Sequence, residues 1–254
     1  MKTIKDMSVL ITGGGSGIGA GTARFFVQGG ARVTISGRRE DKLRAVAGSI
    51  GPACTYVVGD VTNAADRARM IDTAVAHGGG LHALINNAAN MYQGPLTSLT
   101  EAGLQDIFNT NVVAAMLLTG LAVPHLEATQ GAVVLMGSVH TRRAYPGASP
   151  YAATKGAVEV LARVLAAELG PKQIRVNCVL PGAVPTELNT RAGVCTEDEL
   201  KIRMRNIASS HALGRIGTEA EVADAIAHLC CATWTTGASL VVDGGLALGV
   251  SNFN

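Results

Sequence analysis

The 254-residue chain contains no internal repeat, no low-complexity tract and no Pro/Ser-rich linker, so nothing in it marks a boundary between domains. Charged residues are scarce, at 16% against a usual ~25%. The 21 Lys and Arg nearly balance the 19 Asp and Glu, leaving +2 with no basic block, which excludes the electrostatic footprint of a nucleic-acid binder. Five cysteines, Cys54, Cys178, Cys195, Cys230 and Cys231, show no C-x-x-C spacing and are odd in number. A fully paired disulfide framework is thereby excluded, and reduced thiols in a cytoplasmic setting are expected. Met1 to Met7 runs into a β-like segment without a signal-peptide core, and no apolar run approaches the ~18 residues of a membrane-spanning helix, so no membrane is expected. The six histidines form no H-x-x-x-H or H-E-x-x-H group, which predicts no metal.

What is present is apolar and rich in glycine. Hydrophobic residues make up 48%, and Gly is 31 of 254, enough for a large core and incompatible with disorder or collagen. At about 150 residues per domain, the length fits one large α/β domain or two small ones. Short runs rich in Val, Leu and Ile alternate with helix-period segments. They predict strands at Ser8–Thr12, Arg32–Ser36, Thr55–Val58, Ala83–Asn86, Ala132–Met136, Arg175–Leu180 and Ser239–Val242. Runs without polar alternation belong in a parallel sheet covered on both faces, a doubly wound α/β fold. Helices are expected at about 17–28, 40–48, 63–77, 100–109, 112–129, 151–169 and 218–231. The segments 112–129 and 151–169 are apolar or small nearly all round, which fits either a deeply buried pair or a subunit interface. Ala157, Leu161 and Leu165 are candidates for the outer face.

The first strand ends in Thr12-Gly13-Gly14-Gly15-Ser16-Gly17-Ile18-Gly19 and feeds a helix. A glycine string in that context lets backbone approach a pyrophosphate while the positive helix end faces it. Its G-x-x-x-G-x-G spacing coincides with Asn86-Asn87-Ala88, Asn111, Ser138, Tyr151-x-x-x-Lys155, Pro181-Gly182 and Asp243-Gly244-Gly245. Together, over residues 7–246, these resemble the single-domain short-chain dehydrogenase/reductase family. The resemblance implies one Rossmann domain over 1–254 with strand order 3-2-1-4-5-6-7. It also implies that Gly13, Gly15, Ser16, Gly17, Ile18 and Gly19 bind a nicotinamide dinucleotide. Asp60 with Val61, Asn87 with Ala88, and Pro181, Gly182, Val184 and Thr186 would complete that site. Ala89 departs from the glycine usual at its position. The stretch 185–211 breaks the strand-helix rhythm and reads as a substrate lid, within which Cys195 is expected to be accessible.

Tyr151 and Lys155, four residues apart at the start of a helical pattern, project from one face. A phenol of pKa ~10 needs a nearby cation to exchange protons near neutrality, and Lys155 is the candidate. Ser138 follows a strand at the carboxyl edge of the sheet, where ligands of such folds bind. By resemblance, Ser138 positions substrate, Tyr151 exchanges the proton, Lys155 also holds the cofactor ribose, and Asn111 helps keep a water relay to Lys155. The second strand ends in Gly37-Arg38-Arg39, where NAD-using relatives carry an Asp. The missing acid and the two arginines predict NADP(H) rather than NAD(H). His140 reads as a surface loop residue before it reads as a pocket one.

The expected function is interconversion of a secondary alcohol and a carbonyl in a small-molecule substrate, by a homotetramer. The alternatives are an acyl-carrier-protein ketoreductase and a catalytically silent NADP-binding sensor. Met91, Tyr92, His140, Tyr145, Val184, Leu188 and Met204 are candidates for the pocket wall.

Overall fold

In the computed structural model, residues 3–249 are described, so Met1, Lys2 and 250–254 of the expected 1–254 domain lie outside the described residues. Seven parallel strands form one sheet in the order β3-β2-β1-β4-β5-β6-β7. They are β1 (Ser8–Thr12), β2 (Arg32–Gly37), β3 (Cys54–Val58), β4 (Ala83–Asn86), β5 (Ala132–Met136), β6 (Arg175–Pro181) and β7 (Ser239–Val242). Every residue of β1, β4 and β5 is buried, which is why these strands are apolar on both faces.

The helices are α1 (Gly17–Gln28), α2 (Glu40–Ile50), α3 (Ala64–Gly78), α4 (Glu101–Phe108), α5 (Ala114–Thr129), α6 (Ser149–Leu169), α7 (Leu188–Arg191), α8 (Glu197–Ala208) and α9 (Glu219–Cys231). Two cores flank the sheet. On one side Phe26 of α1, Leu43 of α2 and Ile226 of α9 pack over Val9, Ile11 and Ile35. On the other, Met70 of α3, Leu118 of α5 and Ala162 of α6 pack over Leu10, Leu84 and Val133. Each large side chain buried there contributes about 1.5–3 kcal/mol relative to exposure.

Three expectations are corrected. The helical run 101–129 is, by length and composition, apolar enough to cross a membrane. Polar Asn109, Thr110, Asn111 and Thr119 interrupt any continuous apolar run, so counting runs missed it. In this fold its Ala114, Leu118, Ala122 and Leu126 pack against the sheet. The outer face of α6 carries Val160 (51% exposed) and Val164 (47%), rather than Ala157, Leu161 and Leu165. Leu161 and Leu165 lie one position round the helix and pack onto the core. Cys195 is buried despite its place in the lid, and all five cysteines are free and buried.

Candidate active site

The carboxyl ends of β1, β4, β5 and β6 open into one cavity of about 640 Å³, within the usual range for a ligand site. Its floor starts at the glycine loop. Gly13 has φ +67°, and a Cβ there would come within 3.0 Å of the Ala88 backbone. A Cβ on Gly19 would meet the Gly13 carbonyl at 2.4 Å, so α1 can begin this close to the loop only as glycine. Thr12 and Asn87 join the loop to β4. The Thr12 hydroxyl accepts from the Asn87 and Ala88 N–H groups at 3.0 Å each, and Asn87 Nδ2 donates to the Thr12 carbonyl at 2.8 Å.

Of the expected cofactor residues, Gly13, Ser16, Gly17, Ile18 and Arg38 line the cavity, as do Asp60, Val61, Asn87 and Ala88. Pro181, Gly182, Val184 and Thr186 line it from the β6 side. Gly15, Gly19 and Arg39 do not: Gly15 backs onto Lys42 of α2, and Gly19 packs on Gly13. Arg38 Nη1 lies 3.6 Å from the Asp60 carboxylate, which holds it beside the cavity. Arg39 turns instead to Glu187, donating to its carboxylate at 2.7 Å. Ala89 lines the cavity, and its carbonyl accepts from Arg191 at 2.6 Å.

Ser138, Tyr151 and Lys155 converge on the same cavity and are all buried. Ser138 ends the turn after β5, and Pro150 in the first turn of α6 helps start the helix that presents Tyr151 and Lys155. Lys155 Nζ donates to the Met136 carbonyl at 2.7 Å and sits 5.4 Å from the Tyr151 ring centroid.

Burial outweighs the lowering of the Tyr151 phenol expected from Lys155. Burial pushes the phenol up to about 12, and the Ser138 hydroxyl is the group that draws it back. Burial also lowers Lys155 to about 8, so the ammonium loses its proton before the phenol does. At pH 7 Tyr151 is therefore a phenol beside a cationic Lys155.

Asn111 reaches Lys155 only through neighbours. It lies in a π-helical turn, Asn109–Val113, that joins α4 to α5. The extra residue in that turn aims its amide inward, a device frequent at functional sites. Asn111 Nδ2 donates to Thr154 Oγ1 at 3.0 Å and to the Asn90 carbonyl at 3.0 Å, while its oxygen accepts from Asn90 N–H at 2.7 Å.

His140 is not a surface residue. Its Nδ1 lies 3.0 Å from Ser138 Oγ, its ring centroid is 4.3 Å from Tyr145, and it meets Tyr151 edge-on at 5.1 Å. Burial and the Lys155 charge push it down to about 4, so the imidazole is neutral at pH 7. Its position two residues after Ser138 is the one signal of this in the sequence.

Met91, Tyr145, Val184, Leu188 and Met204 line the cavity as expected, but Tyr92 does not. The Tyr92 hydroxyl accepts from Thr100 N–H at 2.9 Å and its ring packs by Gly103, so it caps the start of α4. The segment 185–211 forms α7 and α8, and Met204, Ile207 and Arg203 of α8 close one wall. Sequence reasoning misses Arg191, Arg203 and Glu187, because no local pattern marks a lone charge in an irregular segment.

Known proteins resemble this chain over nearly its whole length. A family model described as enoyl-(acyl carrier protein) reductase matches residues 13–247. The L-fucose dehydrogenase of Bos taurus is 36% identical over 95% of this chain and 89% of its own. A 3-alpha-(or 20-beta)-hydroxysteroid dehydrogenase of Mycobacterium tuberculosis is 33% identical over 96% and 90%. The chain belongs to the short-chain dehydrogenase/reductase family. It is an oxidoreductase of that family, and the expected Rossmann-type sheet is the family's fold. Two solved members superpose closely. One is a short-chain dehydrogenase/reductase of Caenorhabditis elegans with cofactor, of unknown function, with TM-score 0.90, 28% identity and coverage of 98% and 97%. The other is the 3-ketoacyl-(acyl-carrier-protein) reductase of Brucella melitensis complexed with NADH, with TM-score 0.87, 31% identity and coverage of 96% and 100%.

Proposed function

We propose that this short-chain dehydrogenase/reductase interconverts a secondary alcohol and a carbonyl on a small molecule, with NADP(H) as hydride carrier. The observation that carries the reading is the convergence of Ser138, Tyr151 and Lys155 on one cavity shared with the glycine loop. The loop fits a dinucleotide: the positions where a Cβ would fill the cradle are glycine, and the N-terminus of α1 faces it. Gly13, Ser16, Gly17 and Ile18 would hold the pyrophosphate, Asp60 and Val61 the adenine side, and Lys155 the ribose. Pro181, Gly182, Val184 and Thr186 would hold the carboxamide end. A bound nicotinamide supplies or accepts the hydride.

The chain's own residues handle the oxygen and the proton. Tyr151, held as a phenol at pH 7, is set to donate a proton to a carbonyl oxygen, and Ser138 beside it can orient that oxygen. Lys155 contributes positive charge where the phenolate develops. His140, neutral and bonded to Ser138, fixes the serine rotamer. The segment 185–211 acts as a lid. Met91, Val184, Leu188 and Met204 suit a carbonyl on a largely apolar body. Buried free thiols suit a reducing, cytoplasmic setting.

NADP(H) rather than NAD(H) is supported by Arg38 at the cavity and by the absence of an acid at Gly37. A Cβ on Gly37 would have 3.7 Å to Leu43, so Gly37→Asp fits the backbone. Steady-state kinetics should show NADPH favoured over NADH by kcat/KM. Gly37→Asp combined with Arg38→Ser should invert that preference. One charge-assisted contact of roughly 1.5–3 kcal/mol sets the expected change at about 10- to 150-fold. Equal use of both cofactors by the wild type would refute this assignment.

We further propose a homotetramer. Met116, Leu117 and Leu121 of α5 and Val160 and Val164 of α6 are each about half exposed, more apolar surface than a helix normally shows to water. Light scattering should give a multiple of 26.0 kDa, and Val164→Glu should shift the protein toward the monomer with loss of activity. On a solvated helix the same change would be within ~0.5 kcal/mol of neutral. A fully active wild-type monomer would end this reading.

A further inference from the structure

Glu187 stands at the head of the lid, directly after Thr186, and its carboxylate crosses to the far side of the glycine loop. It accepts from Arg39 Nη2 at 2.7 Å and lies 3.9 Å from Lys42 Nζ. Arg39 also reaches Ser16 Oγ at 3.3 Å, so this one guanidinium joins the loop to the lid. The partners are 148 residues apart in sequence, and only the fold brings them together. Glu187 lines the cavity beside Gly37 and Arg38, whereas Arg39 does not.

The charges around it are mostly positive. Burial, and after it the charges of Arg38 and Arg39, lower the neighbouring Arg191, and Glu187 is itself held below the usual carboxylate range, mainly by Arg39. A carboxylate at this wall neutralises two cations and repels any anion placed against Arg38. A 2′-phosphate must therefore compete with Glu187 for Arg39, while a 2′-hydroxyl need not.

We propose that Glu187 is a cofactor-selectivity residue: by occupying Arg39 and Lys42, it limits how strongly the site prefers a phosphorylated dinucleotide over an unphosphorylated one. The inference rests on the NADP(H) reading above. Both side chains of the Arg39–Glu187 pair are about 40% exposed (39% and 42%), so screening keeps the effect moderate.

Direct binding measures it without turnover, using calorimetric or fluorescence titration of NADPH and NADH into the wild type, Glu187→Gln, Arg39→Gln and the double variant. Glu187→Gln should tighten NADPH about 3- to 10-fold and change NADH less than about twofold. In the Arg39→Gln background the gain should vanish, because the carboxylate acts through that guanidinium. A gain equal for both nucleotides, no gain, or a gain that survives without Arg39 would overturn the proposal and leave Glu187 as a lid tether. Arg38→Leu separates this from failure of the cofactor reading. If Arg38→Leu weakens NADPH selectively while Glu187→Gln does nothing, only the role of Glu187 falls. If Arg38→Leu also leaves NADPH untouched, the NADP(H) reading falls with it.

Discussion

Tyr151→Phe should lower turnover by about 10²–10⁴-fold, the loss expected when a positioned proton donor is removed. The ring is 7% exposed and meets His140 edge-on at 5.1 Å, contacts that phenylalanine keeps. What disappears is the hydroxyl, the proton donor proposed to serve an oxygen positioned by Ser138. The fold and cofactor affinity should therefore survive, and the defect should appear in kcat, with nucleotide binding by titration close to wild type. Near-normal turnover by a correctly folded Tyr151→Phe protein would remove Tyr151 from the mechanism.

Lys155→Met should be at least as damaging and should also change the pH profile. The ammonium lies 5.4 Å from the Tyr151 ring centroid, where it can stabilise charge developing on the phenol, and its loss should cost about 10²-fold or more in rate. The substitution also leaves the Met136 carbonyl without its 2.7 Å donor. Because burial lowers Lys155 to about 8, its cationic form is present below that pH and lost above it. Wild-type carbonyl reduction should accordingly decline as pH rises through about 8. Lys155→Met should be slow throughout and lack that limb. An unchanged limb near 8 in the variant would assign it to another group and leave Lys155 with no electrostatic part.

Tyr151 and Lys155 are legible in the sequence because their chemistry is tied to helical spacing: positions four apart share a face whatever surrounds them. The same holds for the glycine loop. Gly13 and Gly19 are dictated by a backbone that must pass close to other backbone, and that demand is local. The seven strands are readable from apolar runs that only a sheet covered on both sides can bury. Their ends differ from the expected ones by no more than a residue, as β3 beginning at Cys54 and β6 ending at Pro181 show.

Residues whose meaning depends on distant partners are not legible in this way. His140 has the sequence context of a loop residue, and only the packing of Tyr145 and Tyr151 over it makes it part of the site. Asn111 gains its partners from a π-turn that no periodicity announces, and Arg39 loses its place at the cavity to a carboxylate far along the chain. The direction of the Tyr151 shift is the sharpest case. Spacing alone places a cation near the phenol, but whether the phenol rises or falls depends on how much water the surrounding chain removes from both groups. Local pattern thus determined the sheet, the loop and the helix face that carries Tyr151 and Lys155. Tertiary structure decided their protonation and pairing, because desolvation and long-range charge contacts are properties of the packed interior and have no counterpart in a short stretch of sequence.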